Sequence, residues 1–144
     1  MVPQFTTNFT CITSSYSLSR IGFQISCGME FLAEENIYHG DLAARNILLS
    51  DCFVAKISDF GLSKRLYDKI FTFDEENDRT LSLPIKWLAL ETLQDKKASL
   101  KCDIWSFGVL AWEIWEFGAE PYGTCKIIVS IKQNKVSTEE QLKR

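Results

Sequence analysis

His39-Gly40-Asp41-Leu42-Ala43-Ala44-Arg45-Asn46 and, thirteen residues past Asn46, Asp59-Phe60-Gly61 are the stretches that decide how this chain folds. Between them, Ile47-Leu48-Leu49 and Val54-Ala55-Lys56-Ile57-Ser58 read as two short strands, and Ser50-Asp51-Cys52 as the turn that joins them. A tight hairpin puts the residue before its first strand beside the residue after its second. Asn46 and Asp59 are therefore expected to sit side by side, as two ligands of one metal ion would have to.

Upstream, Leu18, Ile21, Ile25, Met29 and Leu32 recur at three- and four-residue steps and predict a helix with one apolar face. Ser17 is the expected N-cap, and Glu34-Glu35-Asn36 closes the pattern. Residues 1–17, rich in Ser and Thr and without a period, are expected to be a poorly ordered lead-in. Downstream, residues 62–83 read as a long mobile loop carrying the acidic run Asp74-Glu75-Glu76-Asn77-Asp78. Lys101 to Phe117 is helical and apolar almost all round, a pattern that predicts a central, buried helix. Gly118 ends it, Pro121-Tyr122-Gly123 makes a turn, and Lys126 to Gln133 is expected to form one more helix.

The 144 residues leave room for one compact unit. A formal net charge of −3 gives no electrostatic case for nucleic acid or an acidic membrane. Five cysteines (11, 27, 52, 102 and 125), odd in number and with no Cys-x-x-Cys, argue against a disulfide framework or a zinc site and for a reducing compartment. No apolar run approaches the ~20 residues of a membrane helix, and no signal peptide is visible. The triplet Asn8-Phe9-Thr10 fits the N-glycosylation pattern but is common by chance.

The quoted segments resemble the catalytic and metal loops of protein kinases, and the Leu-Ala-Ala-Arg-Asn ending resembles the tyrosine-specific branch. Four further motifs follow the family's order: Gly28-Met29-Glu30-Phe31-Leu32 before the loop, then Pro84-Ile85-Lys86-Trp87, Ala89-Leu90-Glu91 and Asp103-Ile104-Trp105-Ser106-Phe107-Gly108. The resemblance runs from about Ile21 to Lys132. It implies a mainly α (α+β) fold, the larger lobe of a protein kinase, incomplete, with a small β-hairpin at the active site over residues 18–144. No Gly-x-Gly-x-x-Gly loop or Val-Ala-x-Lys strand precedes the catalytic loop, and the last helices of the lobe have no counterpart. The Arg that pairs in the family with the Glu at position 91 is among what is missing, so Glu91 is expected to be either exposed or a costly unpaired charge.

Roles follow from the resemblance. Asp41 stands where the family accepts the proton of the substrate hydroxyl. A carboxylate near pKa ~4 is a weak base for a phenol near ~10, so it should orient the tyrosine and collect its proton late. Arg45 would hold phosphate and the substrate ring. Asn46 and Asp59 would bind the Mg²⁺ of ATP, an ion that prefers oxygen donors and keeps some of its waters. Leu48 would form the floor under the adenine. Lys86 and Trp87 would shape the tyrosine pocket, although Trp87 could equally be core. His39, the one histidine, is expected to pack on Phe60 rather than act as a base, and Asp103 to accept backbone N–H groups of the catalytic loop.

Gly40 occupies a position where most family members carry an Arg that binds the activation-loop phosphate, and the loop has one tyrosine, Tyr67, near its start. The resemblance thus implies ATP-dependent phosphorylation of protein tyrosine, with ATP and Mg²⁺ as cofactors, a tyrosine-bearing protein as substrate and a kinase–kinase dimer as a further partnership. The implied location is cytoplasmic, or the intracellular part of a receptor similar to the platelet-derived and vascular growth factor receptor kinases. The competing expectation is a non-catalytic pseudokinase or truncated interaction module.

Overall fold

The computed structural model describes residues 15–66, 71–72, 83–95 and 97–123. Three helices and three two-stranded antiparallel sheets make up the described part: α1 (Ser15–Glu34), α2 (Leu90–Asp95), α3 (Leu100–Trp115), and strands β1 (Ile37–Tyr38), β2 (Ile47–Leu49), β3 (Ala55–Ile57), β4 (Lys64–Arg65), β5 (Phe71–Thr72) and β6 (Lys97–Ala98). Single 3₁₀ turns occupy Ala44–Asn46 and Ile85–Trp87. Among the described residues, no helix is long and apolar enough to cross a membrane.

The expected stripe of α1 is its buried face: Leu18, Ile21, Ile25 and Leu32 are buried, and Met29 packs against the same core. The helix starts earlier than expected, at Ser15, so Ser17 lies in its first turn and is not its cap. It ends where the sequence suggests. Asn36 adopts a left-handed backbone (φ 56°) and its N–H bonds Ala33 O at 3.0 Å; Asn is among the few L-residues that enter this region readily.

The hairpin forms with the register Ile47↔Ile57, Leu48↔Lys56 and Leu49↔Ala55. Its alternation sends Ile47 into the core and leaves Leu48 exposed beside Lys56. α1 lies across the back of the hairpin, where Gln24 Oε1 accepts the Ala55 N–H at 2.7 Å. Leu42, Ala44 and Leu110 complete the core between α1, the hairpin and α3.

Two expectations are corrected. Part of the stretch read as a loop is paired: β4 joins β1 (Ile37↔Arg65, Tyr38↔Lys64) and β5 joins β6 (Phe71↔Ala98, Thr72↔Lys97). Tyr67, the acidic run and the helix expected at 126–133 lie outside the described residues. The second correction concerns α3. Among the described residues it is not buried all round: Ile104, Trp105, Trp112 and Trp115 are exposed, whereas Cys102, Asp103, Ser106, Leu110 and Glu113 are buried. The inward stripe is therefore largely polar. These groups face backbone and side-chain donors of the loops, and an apolar pattern with no polar face could not reveal which side that would be.

Candidate active site

The catalytic-type loop is pinned to α3 by two carboxylates. Asp103 Oδ2 accepts the His39 N–H at 2.7 Å and Oδ1 accepts the Gly40 N–H at 3.1 Å. Three helical turns later, Glu113 Oε2 accepts the Ala44 N–H at 2.9 Å. Asp103 is therefore the backbone anchor expected of it. Burial pushes its carboxyl up to about 6, against the opposing pull of the two N–H groups.

His39 is wholly buried. Its Nδ1 accepts the Asp41 N–H at 3.2 Å, which leaves the proton on Nε2, 3.2 Å from the Ser58 carbonyl. The ring meets Phe60 with centroids 5.0 Å apart at 59°, the packing expected for it. Burial lowers its pKa, offset in part by the Ser58 carbonyl and by the charges of Asp41 and Asp59. A neutral ring with both nitrogens engaged is a spacer that joins the loop to the end of the hairpin, and it has no lone pair left for general base chemistry.

Asp41 is joined to that ring through its backbone N–H. Its carboxylate pairs with Arg45 through Oδ1 and accepts the Asn46 amide through Oδ2 at 2.9 Å; the same amide nitrogen bonds Asp41 O at 2.6 Å. Asn46 thus spends its donors on Asp41, which leaves its carbonyl oxygen for a cation. The hairpin behaves as expected at its open end: Asn46 O accepts both the Ser58 N–H and the Ser58 hydroxyl at 2.9 Å. Asp59 follows directly. It is exposed, its backbone is left-handed (φ 62°), and its Oδ1 takes the Gly61 N–H at 3.3 Å. Asp41 and Asn46 are thus in direct contact, Asp59 follows the residue bonded to the Asn46 carbonyl, and the charges of Asp41 and Asp59 both reach His39.

This donor set fits Mg²⁺ in kind and number. Among the described residues, no cluster of three His, Cys, Asp or Glu side chains could hold a metal alone. One amide oxygen and one carboxylate instead suit an ion that brings phosphate oxygens and water as its remaining ligands. Arg45 stacks on Trp87, its Cζ lying 4.3 Å from the ring centroid. Trp87 is neither bare surface nor plain core: its indole N–H donates to Glu113 Oε2 at 2.8 Å and its carbonyl accepts the Ser106 hydroxyl at 2.7 Å. Lys86 is turned toward Glu120 (2.6 Å) and the Gly123 carbonyl (3.0 Å). Leu48 is exposed on the hairpin, opposite Lys56. Glu91 is exposed, which settles that alternative.

Glu113 and Ser58 were not singled out from the sequence. The signal for Glu113 was present: one carboxylate inside the apolar run of α3 needs a partner. Ser58 offered none, because its contribution comes from strand register. Gly40 is also more constrained than its sequence suggests. Its φ is +81°, and a Cβ there would lie 2.9 Å from Tyr38 Cε1 and 3.0 Å from Leu62 O.

A loop held to α3 by two carboxylates and an α-rich architecture with small antiparallel sheets agree with an incomplete protein-kinase lobe. Accordingly, the family model for protein tyrosine and serine/threonine kinases matches residues 9–144, and the chain belongs to that family. It is similar to Fibroblast growth factor receptor homolog 2 of Drosophila melanogaster, with 50% identity over 105 residues, or 73% of this chain and 10% of that protein. The chain thus spans about a tenth of that relative's length.

Proposed function

We propose that this chain is the larger lobe of a protein-tyrosine kinase and that residues 18–144 form part of one kinase domain, with the nucleotide-covering lobe supplied by sequence outside it. The observation that carries this is the Asp41–Asn46 contact at the mouth of a hairpin whose second strand leads to Asp59. Asp41 orients the tyrosine hydroxyl and takes its proton as the bond to phosphorus forms. Arg45 holds Asp41 in place and presents a cation to the phosphoryl group and the incoming ring. Asn46 and Asp59 would hold Mg²⁺, which when bound with ATP would neutralise phosphate charge. Leu48 gives the adenine an apolar floor. Tyrosine-bearing proteins are the substrates, and the working location is the cell interior, alone or as the inner part of a receptor. In the kinase that carries this chain, D41N should lower kcat on a tyrosine peptide by about a hundredfold or more and leave the KM for ATP near its starting value. Unchanged turnover would end this reading.

Gly40 favours a second reading on one point. A residue with φ +81° and two close neighbours leaves no room for the Arg that reads a phosphorylated activation loop. The kinase is therefore one that is not switched on by activation-loop phosphotyrosine, or, failing turnover altogether, a binding module that kept the shape of the site. Activity before and after phosphatase treatment separates the two: a large loss contradicts the unswitched enzyme, and no Asp41-dependent turnover in either state favours the module.

A further inference from the structure

We propose that Glu113 is a positioning residue for the protein substrate: it fixes the Trp87 ring under Arg45 and so sets the direction in which Arg45 and Asp41 meet the tyrosine. This rests on the reading of Asp41 and Arg45 given above and deepens it.

Glu113 is 5% exposed and sits in the last turn of α3, where the helix dipole disfavours an anion. A buried carboxylate in that place is retained against both desolvation and the local field. It is held by two N–H groups on one oxygen, Ala44 N at 2.9 Å and Trp87 Nε1 at 2.8 Å. The first belongs to the residue before Arg45, the second to the ring on which the Arg45 guanidinium lies. Arg45 in turn pairs with Asp41, and Asp41 with Asn46. One carboxylate oxygen therefore holds both the backbone from which Arg45 springs and the platform on which it rests. Fixing root and rest together limits a long, half-exposed side chain to one direction, and ordering it before the substrate arrives lowers the cost of binding. No substrate atom needs to touch Glu113 for this, and its effect should appear in peptide recognition ahead of nucleotide binding.

The test has two arms. In the kinase that carries this chain, E113Q keeps the size and one acceptor oxygen but removes the charge. The expected result is a rise of several-fold or more in KM for a tyrosine peptide, with the KM for ATP unchanged. W87F removes the indole donor while keeping a ring, and should act in the same direction; it also serves if E113Q does not fold. Adding E113Q to R45A should change the peptide KM little, because the path through Arg45 is already gone. Additive effects in that double variant, or equal rises in both KM values, would overturn the proposal. In the chain itself, the indole ¹H–¹⁵N resonance of Trp87, assigned through its loss in W87F, should move in E113Q. A resonance that stays in place overturns the proposal without reference to turnover. If instead D41N leaves turnover intact while the resonance moves, the reading of Asp41 fails and the Glu113–Trp87 coupling stands.

Discussion

At the scale of single residues, two buried titratable groups one hydrogen bond apart pull the pH dependence of stability in opposite directions. Asp103 has a folded pKa raised from 3.8 to about 6, so its contribution is complete below its unfolded value and is lost as pH rises through about 6. His39 has a lowered pKa, so its contribution is complete above 6.5 and is lost as pH falls through its folded value. Between roughly pH 4 and 6.5 the two oppose each other, and the intact chain should show a shallow profile there. D103N should expose the histidine arm, with urea-unfolding stability falling from pH 7 to pH 5. H39Q should expose the other arm and hold or gain stability over the same interval. D103N should also cost about 1–3 kcal/mol at pH 7, because the two N–H groups use different oxygens and the amide nitrogen that replaces one of them cannot accept. Gly40 belongs to this scale as well. G40A places a methyl against Tyr38 and a carbonyl at a left-handed φ, and should cost about 1–3 kcal/mol; Y38V should restore only the part due to the ring, since the Leu62 carbonyl and the backbone angle remain. Chemical denaturation of the single and double variants measures both parts. The roles of Asp103 and His39 were legible because motifs fix their neighbours in sequence. The crowding at Gly40 was not, because it comes from Tyr38 and Leu62 meeting across a bend.

At the scale of elements, α1 carries two interior glycines in opposite circumstances. An added Cβ at Gly22 meets nothing within 4 Å, so G22A should gain about 0.5–1 kcal/mol from helix propensity alone. At Gly28 it would lie 2.9 Å from Ile57 Cδ1, the tip of a side chain that can turn. G28A should therefore gain less, and recover the full increment when I57V removes that methyl. A thermal melt of the set checks this; equal gains at the two glycines would contradict the packing of α1 on the hairpin. The stripe of α1 was readable because it has a clear helical period, and the hairpin because two β-prone runs flank a turn triplet; its register was not. The short pairs β1–β4 and β5–β6 were not, because two-residue strands have no period and join segments distant in sequence. The inward face of α3 was misjudged for a related reason: where every side is apolar, burial is decided by which hydrogen-bond partners approach.

At the scale of the whole molecule, α3 leaves Ile104, Trp112 and Trp115 exposed, and Phe23 and Phe31 of α1 are exposed as well. Large exposed aromatic surface favours association. Sedimentation of the 144-residue chain should show concentration-dependent self-association, reduced in W112Q/W115Q with little change in melting temperature; a monomer at all concentrations would count against it. The chain alone should also show no turnover on tyrosine peptides with Mg-ATP, since its sequence holds no glycine-rich loop to cover the phosphates. Detectable, Asp41-dependent turnover would overturn that. The kinase membership was legible because its motifs occur in order over most of the chain. What the motifs could not give was the wiring between them, which runs through polar side chains of one helix.

That wiring makes α3 a measuring rod. Asp103 and Glu113 grip the loop near its two ends, at His39–Gly40 and at Ala44, from points ten residues apart on the same helix, a rise of ~15 Å. A single residue inserted between them would swing one grip about 100° around the axis, so the length of this stretch is fixed by the loop it spans.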